Sequence, residues 1–249
     1  MAGHSKWANI KRQKARVDAK KGSVFTKLSR AIIVAARSGL PDPDGNFQLR
    51  AAVDKAKAAG MPNDNIERAI AKGSGNWSDD SALEEIRYEG YGPAGVAVLI
   101  EAMTDNRNRT AAEVREAFSK TGGSLGETGC VSWMFAQKGV ISLEAVPDEE
   151  ALLLAVAEAG GDDLNAEGTE AEVYCDYTLL EQVATHLKKE GYQVQDAAIR
   201  WIPSNGVQVE DADTAKLVLN LMERLDNLDD VQNVYANFEI DEAVMESLV

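Results

Sequence analysis

At 249 residues, 45 % of them hydrophobic and 27 % charged, the chain has a globular composition and the length for more than one domain; its longest apolar runs, such as 151–157, fall far short of a bilayer span. Its two cysteines, Cys130 and Cys175, are too few for a disulfide framework, and no apolar stretch follows the charges of the N-terminus, so a secretory signal is not expected and a cytoplasmic location is. The net charge of −15 hides a segregation: residues 1–40 set ten cations against the single acid Asp18, a balance of +9, which leaves −24 on residues 41–249.

A compact basic block binds polyanions, while an acidic body stays off them elsewhere. The leading end is therefore the expected nucleic-acid contact, with Lys6, Lys11, Arg12, Lys14, Arg16, Lys20, Lys21, Lys27 and Arg30 as phosphate-contact candidates. The competing reading is a solvated helix face, which normally mixes the two signs of charge. Arg12, Arg16 and Lys20 stand four apart, and like charges at that spacing disfavour an isolated helix unless an anion offsets them. Trp7, amid lysines, fits either stacking on an unpaired base or capping the N-terminal hydrophobic stripe.

From Ser23, a residue of N-cap type, Phe25, Leu28, Ile32 and Ala35/Ala36 recur with helical spacing, and Lys27, Arg30 and Arg37 fall on the opposite side, where they should stay in water. A loop at 39–45 follows by composition. Helices are then expected at 48–59, with Leu49, Ala52, Val53 and Ala56 inward, and from the Pro-Asn-Asp-Asn run at 62–65 through 72. Glycine and serine at 73–76 mark the first domain boundary.

Downstream the pattern changes to strands at 96–103, 130–135, 140–143, near 164, 171–175, 193–201, 207–209 and 231–240, with helices at 109–120, 149–159, 179–190 and 214–225. The β-α-β-β-α-β order from 140 to 201 is that of a ferredoxin-like unit. The halves at 96–135 and 207–240 would combine into a second one. The expected architecture is thus α+β: a basic helical domain at 1–76, then two ferredoxin-like α/β sandwich domains, with 137–204 inserted into a discontinuous domain of 77–136 plus 205–249.

A second contact candidate is Asn106, Arg107, Asn108 and Arg109, where a strand ends and a helix begins. Free amide hydrogens at a helix N-terminus suit an anion, and arginine forks match phosphate or stack on a base. Equally, Asn108 could cap the helix while the arginines pair with nearby acids.

No catalytic set stands out. Neither His4 nor His186 has a cysteine or histidine at metal-ligand spacing, and the Lys-Gly-Ser runs at 21–23 and 72–74 lack the order of a phosphate-binding glycine loop. The Asp-Asp pairs at 79–80, 162–163 and 229–230 suit turns and helix caps. No cofactor, no metal and no enzymatic activity are expected.

Six ordered blocks carry a resemblance: MAGHSKWANIKR at 1–12, MPNDNIERAI at 61–70, YEGYGPAG at 88–95, TDNRNRT at 104–110, GGSLG at 122–126 and VSWMF at 131–135. Together they closely resemble the YebC/PmpR family. The resemblance implies a three-domain, non-enzymatic bacterial protein of the kind labelled a probable transcriptional regulator that binds DNA. That family also includes a mitochondrial translational activator, and some bacterial members are linked to relieving stalled ribosomes. The expected function is therefore regulation of gene expression through nucleic-acid binding. The alternatives are a ribosome-associated translation factor on ribosomal or transfer RNA, and an acidic module that recruits a protein partner.

Overall fold

The structure, a computed structural model, describes residues 21–75, 83–241 and 244, without the side chains of 21–23 and 167. Lys6, Trp7, Lys11, Arg12, Lys14, Arg16 and Lys20 lie outside the described residues, as does the side chain of Lys21.

The described part opens on helices α1 (Lys21–Ser38), α2 (Phe47–Ala58) and α3 (Asn63–Gly73). Asn46 caps α2 by accepting from the Leu49 amide at 3.0 Å, and its own amide donates to the carbonyls of Ala35 and Leu40, which ties the preceding loop to α1. Ile32, Ile33, Ala35 and Ala36 of α1 are buried against Leu49, Val53 and Ala56 of α2 and Ile66 and Ala69 of α3. Gly73 lets α1 and α3 approach closely: a Cβ there would sit 2.6 Å from the Ile33 carbonyl oxygen.

Next come β1 (Glu84–Tyr91), β2 (Ala97–Thr104), α4 (Arg107–Lys120) and the short β3 (Ser124–Leu125). The chain then builds β4 (Phe135–Glu144), α5 (Glu149–Ala159), β5 (Asp163–Glu167), β6 (Glu170–Cys175), α6 (Leu180–Lys189) and β7 (Gln193–Pro203). These strands form one antiparallel sheet in the order β5-β6-β4-β7, the ferredoxin-like arrangement. After it come β8 (Val207–Val209), α7 (Ala212–Asp226), β9 (Val231–Ala236) and β10 (Phe238–Ile240). β9 returns to pair with β2, giving the antiparallel order β3-β1-β2-β9, while β8 and β10 form a separate parallel pair.

Three elements differ from the expected ones. The segment 130–135 is not a strand: Ser132–Met134 makes a 3₁₀ turn, and a single strand runs from Phe135 to Glu144. The expected strand at 231–240 breaks at Asn237, whose side-chain oxygen accepts from the Ala97 amide at 2.7 Å and so takes over the role of a strand neighbour. β1, unanticipated, opens the first sheet as a hairpin with β2, so that sheet is not two joined β-α-β halves.

β2 is buried on both faces, which explains its near-continuous apolar sequence. Val98, Ile100 and Ala102 pack with Val114 and Phe118 of α4 and Val218, Leu221 and Met222 of α7. On the reverse face Ala97 and Leu99 meet Phe135 and Tyr235, while Met103 enters the core of the helical domain.

Candidate nucleic-acid interface

The loop between β2 and α4 is organised around a distant carboxylate. Asp230, in the turn between α7 and β9, is 2 % exposed. It accepts hydrogen bonds from Thr104 Oγ1 at 2.9 Å, Thr110 Oγ1 at 2.6 Å and Arg109 Nη2 at 2.8 Å, and Arg30 Nη2 of α1 lies 2.7 Å from its other oxygen. Burial alone would raise its pKa, but the bonds from Thr110, Arg109 and Thr104 and the charge of Arg30 prevail and hold it below the usual carboxylate range. Arg109, also paired with Asp105 at 2.8 Å, has its pKa raised by its bonds to Asp230 and Asp105, so the guanidinium is firmly charged.

Asn106, not Asn108, caps α4: its side chain accepts from the Arg109 amide at 3.1 Å, and the helix starts at Arg107. The four-residue candidate therefore splits. Asn106 and Arg109 are engaged in building the corner. All four residues are exposed, and among the described residues the ion pair of Arg107 is with the exposed Glu84 at 3.6 Å.

On the charged side of α1, Lys27 and Arg30 do not stay in water as expected, whereas Arg37 remains exposed. Lys27 pairs with the Asp226 carboxylate at 3.6 Å and also donates to the Asp226 carbonyl; Arg30 pairs with Asp230 and donates to the Asp229 carbonyl. Arg37 donates to the Leu83 carbonyl at 2.7 Å. The physical reason is complementarity: acids at the end of α7 stand opposite the cations of α1, and the side chains of Arg30 and Asp230 are only 14 % and 3 % exposed. Lys27 and Arg30 thus serve as a bridge between the helical domain and the first sheet.

Sequence reasoning missed a second organised loop. Glu89, an acid on β1, is 3 % exposed and accepts from the backbone amides of Gly129 at 2.9 Å, Val131 at 2.8 Å and Ser132 at 2.8 Å. Burial pushes its pKa up, but these three amides outweigh burial and leave it lowered. The loop so held presents Trp133, 71 % exposed. The only available signal was a glycine-rich stretch ending in tryptophan.

Among the described residues, no group of three or more histidine, cysteine or acidic side chains is arranged to hold a metal ion. No helix of the described residues is long and apolar enough to cross a membrane.

Two family profiles account for most of the chain: one described as the TACO1/YebC protein N-terminal domain matches residues 5–76, and one described as the TACO1/YebC second and third domain matches residues 83–238. The chain is 89 % identical over 248 residues to a probable transcriptional regulatory protein of Synechococcus sp. (strain JA-2-3B'a(2-13)), with 100 % of each covered. It is 65 % identical to a protein of the same description from Trichormus variabilis, with 98 % of each covered. Among solved structures it is similar to the conserved hypothetical protein Aq1575 of Aquifex aeolicus, with a TM-score of 0.83 and 48 % identity over 92 % of this chain and 94 % of that one.

Proposed function

The chain belongs to the TACO1/YebC family, and from that premise we propose that it is a non-enzymatic regulator of gene expression that grips nucleic acid through its leading basic segment. The observation that carries this reading is the separation of +9 in residues 1–40 from −24 in the remainder. With Lys27 and Arg30 committed to the body, the contact falls to Lys6, Lys11, Arg12, Lys14, Arg16, Lys20 and Lys21, with Trp7 among them, and to the outward-facing Arg107 and Asn108 at the α4 corner. An acidic body repels phosphodiester, so these places carry the phosphate contacts. The place of action that goes with this reading is the cytoplasm.

The test is a full chain carrying Arg12→Glu, Arg16→Glu and Lys20→Glu, with Lys27 and Arg30 left native because they hold the domains together. It should lose retention on immobilised nucleic acid at low salt; unchanged retention refutes the reading. Wild-type affinity should fall with salt at a log–log slope of about −0.9 per phosphate contacted on duplex DNA.

The relatives' description favours DNA as the target. A role on ribosomal or transfer RNA is the second reading, favoured by Trp7, whose ring suits unpaired bases. Cross-linking in cells followed by sequencing separates them: promoter DNA supports the first, ribosomal or transfer RNA the second. The acidic domains also offer a surface to a protein partner. Leu153 and Leu154 of α5 are 55 % and 68 % exposed beside Glu149, Glu150 and Glu158, which suits a cationic amphipathic segment.

A further inference from the structure

We propose that Trp133 is a stacking platform for an unpaired nucleobase, a second contact that rests on the nucleic-acid reading above and deepens it.

The loop that carries Trp133 is built with unusual care. A Cβ on Gly123 would lie 2.6 Å from the Tyr91 carbonyl oxygen, so that position needs the bare backbone of glycine, and one on Gly126 would press on Cys130 Sγ at 2.5 Å. Glu89 gathers the amides of Gly129, Val131 and Ser132 beneath it. The Gly126 amide donates to the Glu89 carbonyl at 2.8 Å, and Tyr91 donates its hydroxyl to the Cys130 carbonyl at 3.0 Å.

Trp133 donates its indole N–H to that same Cys130 carbonyl at 3.1 Å. Its one polar group is therefore spent within the loop, and what it offers to solvent is ring surface. Burial of the ring adds little to the fold, because 71 % of the residue is exposed. A pre-ordered loop that displays an aromatic ring with its donor already satisfied is arranged for a partner that binds by its plane.

Two observations bear on what the ring takes. First, the other exposed large apolar residues among those described are Val24, Leu40, Leu153, Leu154, Tyr177 and Leu217, none of them in this loop. A protein interface needs a contiguous patch of several hundred Å², whereas one ring is enough for one base. Second, the flanking lysines are taken up by acids, Lys120 by Glu116 and Lys138 by Asp162, and the Glu89 carboxylate lies beneath the loop, so the contact draws on the plane of the ring and not on local charge. The base must be unpaired, because a paired one is already stacked on its neighbours.

The platform is separate from the α4 corner. Tyr88 faces the core shared with α4, and its neighbour Glu89 lies on the opposite face of the sheet with Leu99. Trp133 is therefore an independent contact rather than an extension of Arg107 and Asn108.

The experiment measures binding of the full chain to a fluorescein-labelled, mixed-sequence single-stranded RNA and to the same strand annealed to its complement. Trp133→Ala should weaken single-strand binding by on the order of tenfold, leave the salt slope unchanged and spare the duplex. Trp133→Phe should recover most of the loss, and both variants should melt with the wild type because the ring is exposed. If the wild type binds and Trp133→Ala binds the single strand equally well, the platform falls while the nucleic-acid reading stands. Equal losses on single strand and duplex would also overturn it, since stacking predicts a difference. Failure of the wild type to bind either probe overturns both.

Discussion

A carboxylate withdrawn from water stays ionised at Asp230 because two threonine hydroxyls, Arg109 and Arg30 face it. Removing the carboxylate in Asp230→Ala strands those partners, and breaking a buried pair costs about 3–5 kcal/mol, measurable by denaturant unfolding. The pH dependence has a definite sign. The folded pKa values of Asp230 and Glu89 are depressed, so their stabilisation is present above the unfolded values, about 3.9 and 4.3, and is lost as pH falls through the folded ones. Asp230→Asn and Glu89→Gln should each flatten the acid limb of the stability curve. Arg109 and Arg107 should separate in a paired test. Arg109→Ala lowers the unfolding midpoint, while Arg107→Ala leaves it in place and weakens nucleic-acid binding. From the sequence these two arginines were equivalent, because the partner that distinguishes them, Asp230, lies more than a hundred positions away. Asp229-Asp230 read as a turn, which it is, but nothing local marked its second acid as the centre of a network.

At the level of elements, legibility followed local periodicity. α1 was readable from its stripe of Phe25, Leu28, Ile32 and Ala36, and the strand order of the inserted sheet followed from the alternation of its segments. β1 was hidden because four of its eight residues are charged, Glu84, Glu85, Arg87 and Glu89, and the acid that is buried finds its partners in a loop forty residues on. The single strand over Phe135–Glu144 looked like two because Gln137, Lys138 and Gly139 interrupt its apolar run; a Cβ at Gly139 would press to 2.7 Å from Cys175 Sγ. Helix contacts give a sharper test. Gly73→Ala inserts a methyl group between α3 and α1 at the Ile33 carbonyl, and overpacking of this kind costs about 1–3 kcal/mol. The loss should show in thermal melting, with nucleic-acid binding retained at temperatures where the variant is folded.

Across the whole molecule, the units meet through polar contacts set among apolar ones. Glu101 of β2 accepts from Trp201 Nε1 of β7 at 2.8 Å and, on its own sheet, from Asn233 and Tyr235 of β9 at 3.1 Å each. Arg87 of β1 lies over the Trp201 ring, 5.3 Å from its centroid. The helical domain is joined instead by Lys27 with Asp226 and Arg30 with Asp230. Placing carboxylates at both cations, Lys27→Glu with Arg30→Glu, sets like charges face to face. The expected outcome is a larger radius of gyration in small-angle scattering and a helical domain that no longer protects Met103 from oxidation. The overall charge separation was plain from the sequence, but not that part of the basic block is consumed internally, because one-dimensional charge counts carry no information on which acids lie opposite.

The pairing of β2 with β9 also sets a schedule for biosynthesis. Val98 has Ala236 as its cross-strand neighbour, so the central strand of the first sheet waits for nearly the whole polypeptide to emerge before that side is covered. Meanwhile the inserted sheet is complete at Pro203 and is free to close first. A nascent chain cut short ahead of Val231 would carry a finished guest inside an unfinished host, with an apolar strand edge open to self-association.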